Sequence, residues 1–298
     1  IPLLGGRDSA LALAAERPGL RVLHMSGYAE LDAAGLEGTL PPGTILRDDF
    51  MLGRTLGQGA FGITYLAWDL RLNRRRAIKE YFPRGVATRG KNGRQVSLIP
   101  RQNELYTEGI QRYLDEARLL AQFETHDCIV SPLTFFELNG TAYLVMEYLE
   151  GETLRSYVMR QGGRIPYPHA LHFLYPVIDA LGAIHRAGIT HRDVTPDNVF
   201  LTVDGKTKLI DFGAARQQLA TQRARMTVIV REHYAPPEQY SRSGRQGPWT
   251  DAYALCSTLY FSVTGQPPPP AMDRYERDEI IPPRELGADI PEIAQAAL

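Results

Sequence analysis

Strand signals crowd the first half of this chain and helical periods fill the second, which predicts an α+β protein of two lobes joined near residues 147–151. Three observations carry that expectation. Two strands flank a glycine-rich bend in FMLGRTLGQGAFGITYLAWD, beginning at Phe50. Asn92-Gly93 and Asn139-Gly140 are dipeptides that tight hairpins select, because both central residues of such a turn need positive φ. Beyond Gly151 the spacing of apolar residues is mainly helical, interrupted by HRDVTPDNVFLTVDGKTKLIDFG at 191–213 and an aperiodic run up to Pro237. Clefts between two such lobes are where ligands usually bind.

In chain order, residues 1–43 read as a separate leader: SALALAAERPG is helical in pattern, RVLHMSG is a short apolar strand and LPPG is a break. After the glycine bend, RRRAIKEYFP forms a third strand. The basic, turn-rich stretch containing RGVATRGKNGR, within 83–104, reads as a solvated hairpin inserted before the next helix. In that helix Ile110, Tyr113, Leu114, Ala117 and Leu120 share one broad apolar face. TFFEL and TAYLVMEY follow as paired strands. AYALCSTLYFSV, from Ala252, reads as a buried helix, and QPPPPAMDRYERDE as a connector between helices.

Composition narrows the function classes. The 298 residues carry 33 basic and 34 acidic side chains, a net charge of -1, so the electrostatic footprint of a nucleic-acid binder is missing. Cys128 and Cys256 sit in unrelated apolar settings with no disulfide or zinc pattern, which points to a reducing compartment, the cytoplasm. No apolar run reaches the roughly 18 residues of a membrane span. The chain starts at Ile1 with neither methionine nor signal peptide and is read as a piece of a longer protein.

Two clusters carry chemistry. LGQGAFGITYLA places Gly57, Gly59 and Gly62 between strands, where bare backbone can approach a bulky anion and present its amides. A dinucleotide site would need a helix after this bend, and ITYLAWD is a strand. Lys79, one strand later, shares a face with Ala77. A lysine in an apolar cleft needs a carboxylate, and Glu116 on the following helix is the candidate. In the second cluster VFLTV, Asp204-Gly205 and KTKLI form a hairpin. Asn198 then stands just before its first strand and Asp211 just after its second, so both oxygen ligands leave the same end. Magnesium takes such hard oxygen ligands together with phosphate and water. Asp193 projects from the preceding loop, where it can accept or orient a hydroxyl proton.

With these residues in order, the chain from about residue 44 onward resembles the eukaryotic-type serine/threonine protein kinases of bacteria. The resemblance rests on LGQGAFGITYLA, AIKEYFP, YLDEARLLA, MEYLEGETL, HRDVTPDNVF, DFG, YAPPEQY and TDAYAL. It implies a bilobal protein-kinase-like fold, with an N-lobe at 44–148 and a helical C-lobe at 149–298 that lacks its last helices. It also implies ATP and Mg2+ as cofactors, protein substrates as partners, and transient self-association for autophosphorylation. Lys79, positioned by Glu116, would hold the α- and β-phosphates; Asn198 and Asp211 would carry magnesium; Asp193 would be the catalytic base. Gly57, Gln58, Gly59, Gly62, Thr64, Ala77, Met146, Glu147, Leu149 and Phe200 would complete the ATP site, the backbone at 147–149 binding adenine. Asp251 would brace the backbone of His191 and Arg192.

Three departures qualify the resemblance. Thr195 stands where most such kinases place lysine, and Arg231 where they place threonine, as though hydroxyl and positive charge were exchanged; both are therefore counted with the catalytic set. A nucleotide-binding pseudokinase or scaffold stays open as the alternative. Glu238 is expected to stand unpaired, because its usual arginine partner lies in the part of the C-lobe that is missing. Thr227, with Thr221 as competitor, is the expected phosphate acceptor among Arg216, Arg223 and Arg225. In the leader, RPGLRVLHMSGYAE is similar to the closing half of a receiver domain, without the preceding phosphoacceptor strand.

Overall fold

The computed structural model describes residues 37–100, 102–212, 231–241 and 244–297. The leader up to residue 36, Gly213, and the loop residues Arg216, Thr221, Arg223, Arg225 and Thr227 lie outside the described residues. The chain divides into two compact units: one runs to Ala117 and adds Pro132–Tyr148, the other joins Arg118–Ser131 to the chain from Leu149 onward. No helix among the described residues is long and apolar enough to cross a membrane.

The first unit is a six-stranded antiparallel sheet. Its strands are β1 (Ile45–Leu46), β2 (Phe50–Gln58), β3 (Gly62–Asp69), β4 (Arg74–Tyr81), β7 (Pro132–Leu138) and β8 (Thr141–Glu147), in the order β1-β2-β3-β4-β8-β7. A separate hairpin of β5 (Ala87–Arg89) and β6 (Val96–Leu98) precedes helix α1 (Asn103–Leu120). Both hairpins form, but only Asn139-Gly140 is a two-residue turn with both φ positive; Asn92-Gly93 lies inside a longer loop between Arg89 and Val96. Asn139 and Gly140 take φ 55° and 72°, while Asn92 accepts the amides of Arg94 and Gln95 at 3.0 and 2.9 Å ahead of Gly93, at φ 67°.

Side-chain alternation gives this sheet two different faces. On one, Tyr81 meets Tyr106 and Tyr113 of α1, with ring centroids 5.4 and 5.6 Å apart. Gly109 permits that approach: a Cβ there would collide with the Tyr81 hydroxyl. The other face carries Ile63, Tyr65, Ile78, Glu80 and Tyr143, all fully buried.

Glu80 is the unexpected member of that apolar layer, since it is 0 % exposed. Its carboxylate accepts the hydroxyls of Tyr65 and Tyr143, each at 2.9 Å, and the guanidinium of Arg89 at 2.8 and 2.5 Å. Burial, and secondarily the Glu80 charge, raise the pKa of both phenols, so they remain protonated donors. Burial works against charge on Arg89, yet the hydrogen bond and charge of Glu80 hold its pKa above the usual value. The guanidinium also lies 4.6 Å from the Phe82 ring centroid. This corrects the reading of the insert as merely solvated. Its tip at 91–95 is exposed, but its root delivers Arg89 into a buried ion pair.

The second unit places β9 (Gly151–Thr153), α2 (Leu154–Arg160) and α3 (Tyr167–Arg186) ahead of the hairpin β10 (Val199–Thr202) and β11 (Thr207–Leu209). Helices α4 (Pro248–Thr264), α5 (Ala271–Glu276) and α6 (Glu292–Ala297) follow. The buried face of α3 repeats as Ala170, Leu174, Val177, Leu181 and Ile184, and packs with Leu154, Val158, Val199, Leu209 and Phe261. Helix α4 starts at Pro248 and stops at Gly265, whose φ of 80° only glycine adopts without strain. The proline-rich connector contains α5. Glu238 is not unpaired as expected: its carboxylate accepts the Thr250 hydroxyl at 2.8 Å.

Because removing one partner of a buried ion pair strands the other charge, Arg89→Met should destabilise the chain by about 3–5 kcal/mol. Denaturant melts of wild type and variant would measure this, and a loss no larger than that of a surface arginine would contradict the burial argument.

Candidate active site

In the first unit, strand register assembles the nucleotide-side candidates. Gly57 pairs with Thr64 and Thr64 with Lys79, so the three form one row across β2, β3 and β4. Ala77 pairs with Met146 on β8, which ends at Glu147. Gln58 belongs to the next row, with Ile63, Glu80 and Tyr143. The three glycines are not equivalent. A Cβ on Gly62 would fall 2.5 Å from the Glu80 carbonyl oxygen, so this glycine is required for packing of β3 on β4. A Cβ on Gly57 would meet nothing within 4 Å, and one on Gly59 only the Gly62 oxygen at 4.0 Å. Those two leave the room that a bound phosphate group needs.

Lys79 is half-buried, and Glu116 is buried on α1. The helix is pinned at this level because the Tyr113 hydroxyl donates to the Lys79 carbonyl at 2.8 Å. Glu116, three residues beyond Tyr113, lies on the same helical face.

In the second unit, the β10–β11 register sets Val199 opposite Leu209, and the Ile210 amide donates to Asn198 O at 2.9 Å. Asn198 and Asp211 therefore sit at one end of the hairpin. The Asn198 amide donates to the Asp193 carbonyl at 2.7 Å and to Asp193 Oδ2 at 2.5 Å. Arg231 Nε lies 3.8 Å from Asp193 Oδ1; the carboxylate is 4 % exposed, the arginine 46 %. Thr195 is buried, and among the described residues its hydroxyl has no hydrogen-bond partner, an orphaned polar group of a kind that native interiors seldom keep. Phe200 lies half-buried in β10, opposite Thr153 of β9, and Leu149 is half-buried two residues before that strand.

The backbone carrying Asp193 is held by Asp251, which is 0 % exposed. Its oxygens accept the His191 amide at 2.8 Å and the Arg192 amide at 2.7 Å, and His185 Nε2 approaches at 2.7 Å. Arg192 and Asp211 occupy the left-handed region, at φ 67° and 59°, conformations that persist only where surroundings impose them. Burial lowers the Arg192 pKa, opposed by Asp251. The Phe212 ring packs 4.4 Å from that of His191.

Sequence reasoning missed several supports. His185 is one. Arg155 is another: its side chain donates to Asp197 at 2.9 Å and to the Tyr234 hydroxyl at 3.1 Å, while the Tyr234 amide donates to Arg231 O at 2.7 Å. These partners lie 42 and 79 residues away, so no local pattern announces them.

The donor set fits magnesium and nucleotide. Among the described residues no group of three or more His, Cys, Asp or Glu could hold a metal by itself. In the second unit one carboxylate and one amide oxygen, Asp211 and Asn198, leave one end of a hairpin and match the way magnesium is held, with few protein ligands and the rest from phosphate and water. The cysteines offer no rival nucleophile. Burial pushes the Cys128 thiol up to about 12 and raises that of Cys256.

Comparison with known proteins agrees with this geometry. A sequence model of the protein kinase domain matches residues 50–285. A probable serine/threonine-protein kinase of Clostridium perfringens is 29% identical over 84% of this chain and 34% of its own length. Serine/threonine-protein kinase PknA of Mycobacterium tuberculosis is 33% identical over 76% of this chain and 49% of its own. This chain thus spans a third to a half of those relatives. The solved apo form of PpkA-294 is 33% identical, with a TM-score of 0.78 over 87% of this chain and 92% of that one. The PknI kinase domain of M. tuberculosis is 25% identical, with a TM-score of 0.57 over 77% and 78%.

The unequal glycines make a direct test. Gly57→Ala should leave stability within about 1 kcal/mol of wild type while weakening binding of magnesium and ATP. Gly62→Ala should lower the melting temperature, because backbone must move. Melting curves and calorimetric titration of both variants would check this.

Proposed function

The chain belongs to the protein kinase domain family, and from that premise we propose that it transfers the terminal phosphoryl group of ATP to serine and threonine hydroxyls of protein substrates. The observation that carries the reading is the cluster in which Asn198 fixes Asp193 while Arg231 approaches its other oxygen. Held this way, Asp193 Oδ1 accepts the hydrogen of the acceptor hydroxyl and aims the oxygen lone pair at phosphorus. The bond from the terminal phosphorus to the bridging oxygen breaks, the bond to the acceptor oxygen forms, and the hydroxyl proton passes towards Asp193. Lys79, supported by Glu116, holds the non-transferring phosphates. The bare backbone of Gly57 and Gly59 would offer amides to the rest; Ala77, Met146 and Glu147 of the first unit and Leu149 and Phe200 of the second are the residues that the resemblance assigns to adenine. Asn198 and Asp211 would hold magnesium, which when bound supplies charge neutralisation on the phosphate oxygens.

Arg231 takes over the cationic role that lysine ordinarily fills near Asp193, and the unpartnered Thr195 hydroxyl is free to donate to the reacting groups. Arg192, whose Nε also lacks a partner among the described residues, would receive a phosphate placed on Thr227 or Thr221 by self-phosphorylation. A cytoplasmic setting, where ATP is available, belongs to the same reading.

Asp211→Asn should abolish transfer and weaken magnesium-dependent ATP binding. Asp193→Asn should lower the transfer rate by about 10²–10⁴-fold with ATP binding nearly intact. Calorimetry, labelled-phosphate transfer and intact mass on both variants would measure this. Equal loss of ATP affinity in a folded Asp193 variant would contradict the division of roles, and ATP binding by the wild type without transfer would favour a scaffold.

Losing a charged donor costs about 1.5–3 kcal/mol, so Arg231→Met should slow transfer about 10- to 100-fold. Thr195→Ala should cost less, since only one neutral hydroxyl is lost. Activity unchanged in both variants would remove the case for an exchanged cation.

A further inference from the structure

The residues just before β1 touch the end of β2 at Gln58, Tyr65 on β3 and Arg89 on β5, although they precede the matched family domain at 50–285. The Gln58 side-chain amide, in the glycine loop, donates to Glu37 O at 2.9 Å. Arg89 Nε donates to Gly38 O at 2.7 Å, and the Leu40 amide donates to the Tyr65 hydroxyl at 3.0 Å. Arg89 and Tyr65 both bind Glu80, the neighbour of Lys79 on β4. Gln58, Ile63, Glu80 and Tyr143 form one row across the sheet, directly beside the row of Gly57, Thr64 and Lys79.

The segment is seated by shape as well as by hydrogen bonds. Gly38 takes φ 82°, and a Cβ there would lie 2.5 Å from the Phe82 ring. Leu40 is buried. A buried arginine that satisfies Glu80, stacks near Phe82 and still reaches Gly38 needs a planar fork of several donors, which lysine cannot copy.

We propose that residues 37–40, with Arg89 and Gln58, form a positioning element for the nucleotide half of the site. It holds the glycine loop and the Lys79 strand in register from outside the family domain. This rests on the protein kinase reading above. The segment binds no ATP itself; it acts through Gln58, at the loop, and through Glu80, beside Lys79.

The test uses the full chain with Gly38→Val, which drives a side chain into Phe82, and Arg89→Lys, which keeps a cation for Glu80 but loses the reach to Gly38. Each should raise the dissociation constant of magnesium-ATP about three- to tenfold, the affinity equivalent of one hydrogen bond. The Michaelis constant for ATP should rise in parallel, with kcat near the wild-type value. Adding Gln58→Ala to Gly38→Val should cost less than the sum of the two, because both act on one link. Unchanged ATP affinity in both variants would overturn the proposal. So would a fall in kcat at constant ATP affinity, which marks only a loss of folded protein. A wild type that neither binds ATP nor transfers phosphate would overturn the kinase reading and this inference together, whereas a wild type that does both beside variants with wild-type affinity would overturn this inference alone.

Discussion

A carboxylate taken wholly out of water must have its lone pairs answered by donors, or folding loses more than the packing around it gains. Each unit of this protein is arranged around one such group. Glu80 collects two phenols and a guanidinium from segments that are 15, 63 and 9 residues away. Asp251 collects two backbone amides and an imidazole across 60, 59 and 66 residues. Neither group does chemistry. Glu80 adjoins Lys79 in sequence, and Asp251 fixes the two residues that lead into Asp193. Demands for hydrogen bonds in the interior are thereby converted into positions for the candidate site residues.

Much of this was legible from local pattern. Asn-Gly and Asp-Gly turns set the hairpins, and the hairpin at 199–209 set Asn198 and Asp211 at one end because antiparallel register leaves no alternative. What stayed hidden depends on partners distant in sequence. Arg89 sits in a basic, turn-rich stretch that reads as solvated, and only the meeting of β4, β8 and residues 37–40 turns it inward. Glu238 shows the same limit: its partner among the described residues is a threonine hydroxyl from α4, which no charge pattern announces. Sequence spacing names charged partners readily and neutral hydroxyls poorly, since threonine fits so many surroundings. Roles assigned to Thr221 and Thr227 concern residues outside those described.

The second unit also leaves a few buried polar atoms unanswered among the described residues. Thr195 buries a hydroxyl without a partner, and Arg192 buries a guanidinium nitrogen likewise. Each omission costs about 1–3 kcal/mol by the usual accounting for buried polar groups. The costs fall within four residues of sequence around Asp193. Support is concentrated there too, through Asp251, Asn198, and the Arg155 link between Asp197 and Tyr234.

The left-handed backbone at Asp211 restricts which residues the position can accept over evolutionary time. At φ 59° a β-branched or bulky side chain is strained, glycine is free, and aspartate and asparagine are among the few others that fit readily. Glutamate would preserve the charge and still forfeit the short side chain that makes this basin accessible. Drift at this position is thus channelled towards residues that keep an oxygen in place or abandon the side chain altogether. Aspartate is favoured by the backbone that must carry it, and under the proposed function also by the charge it would offer a metal.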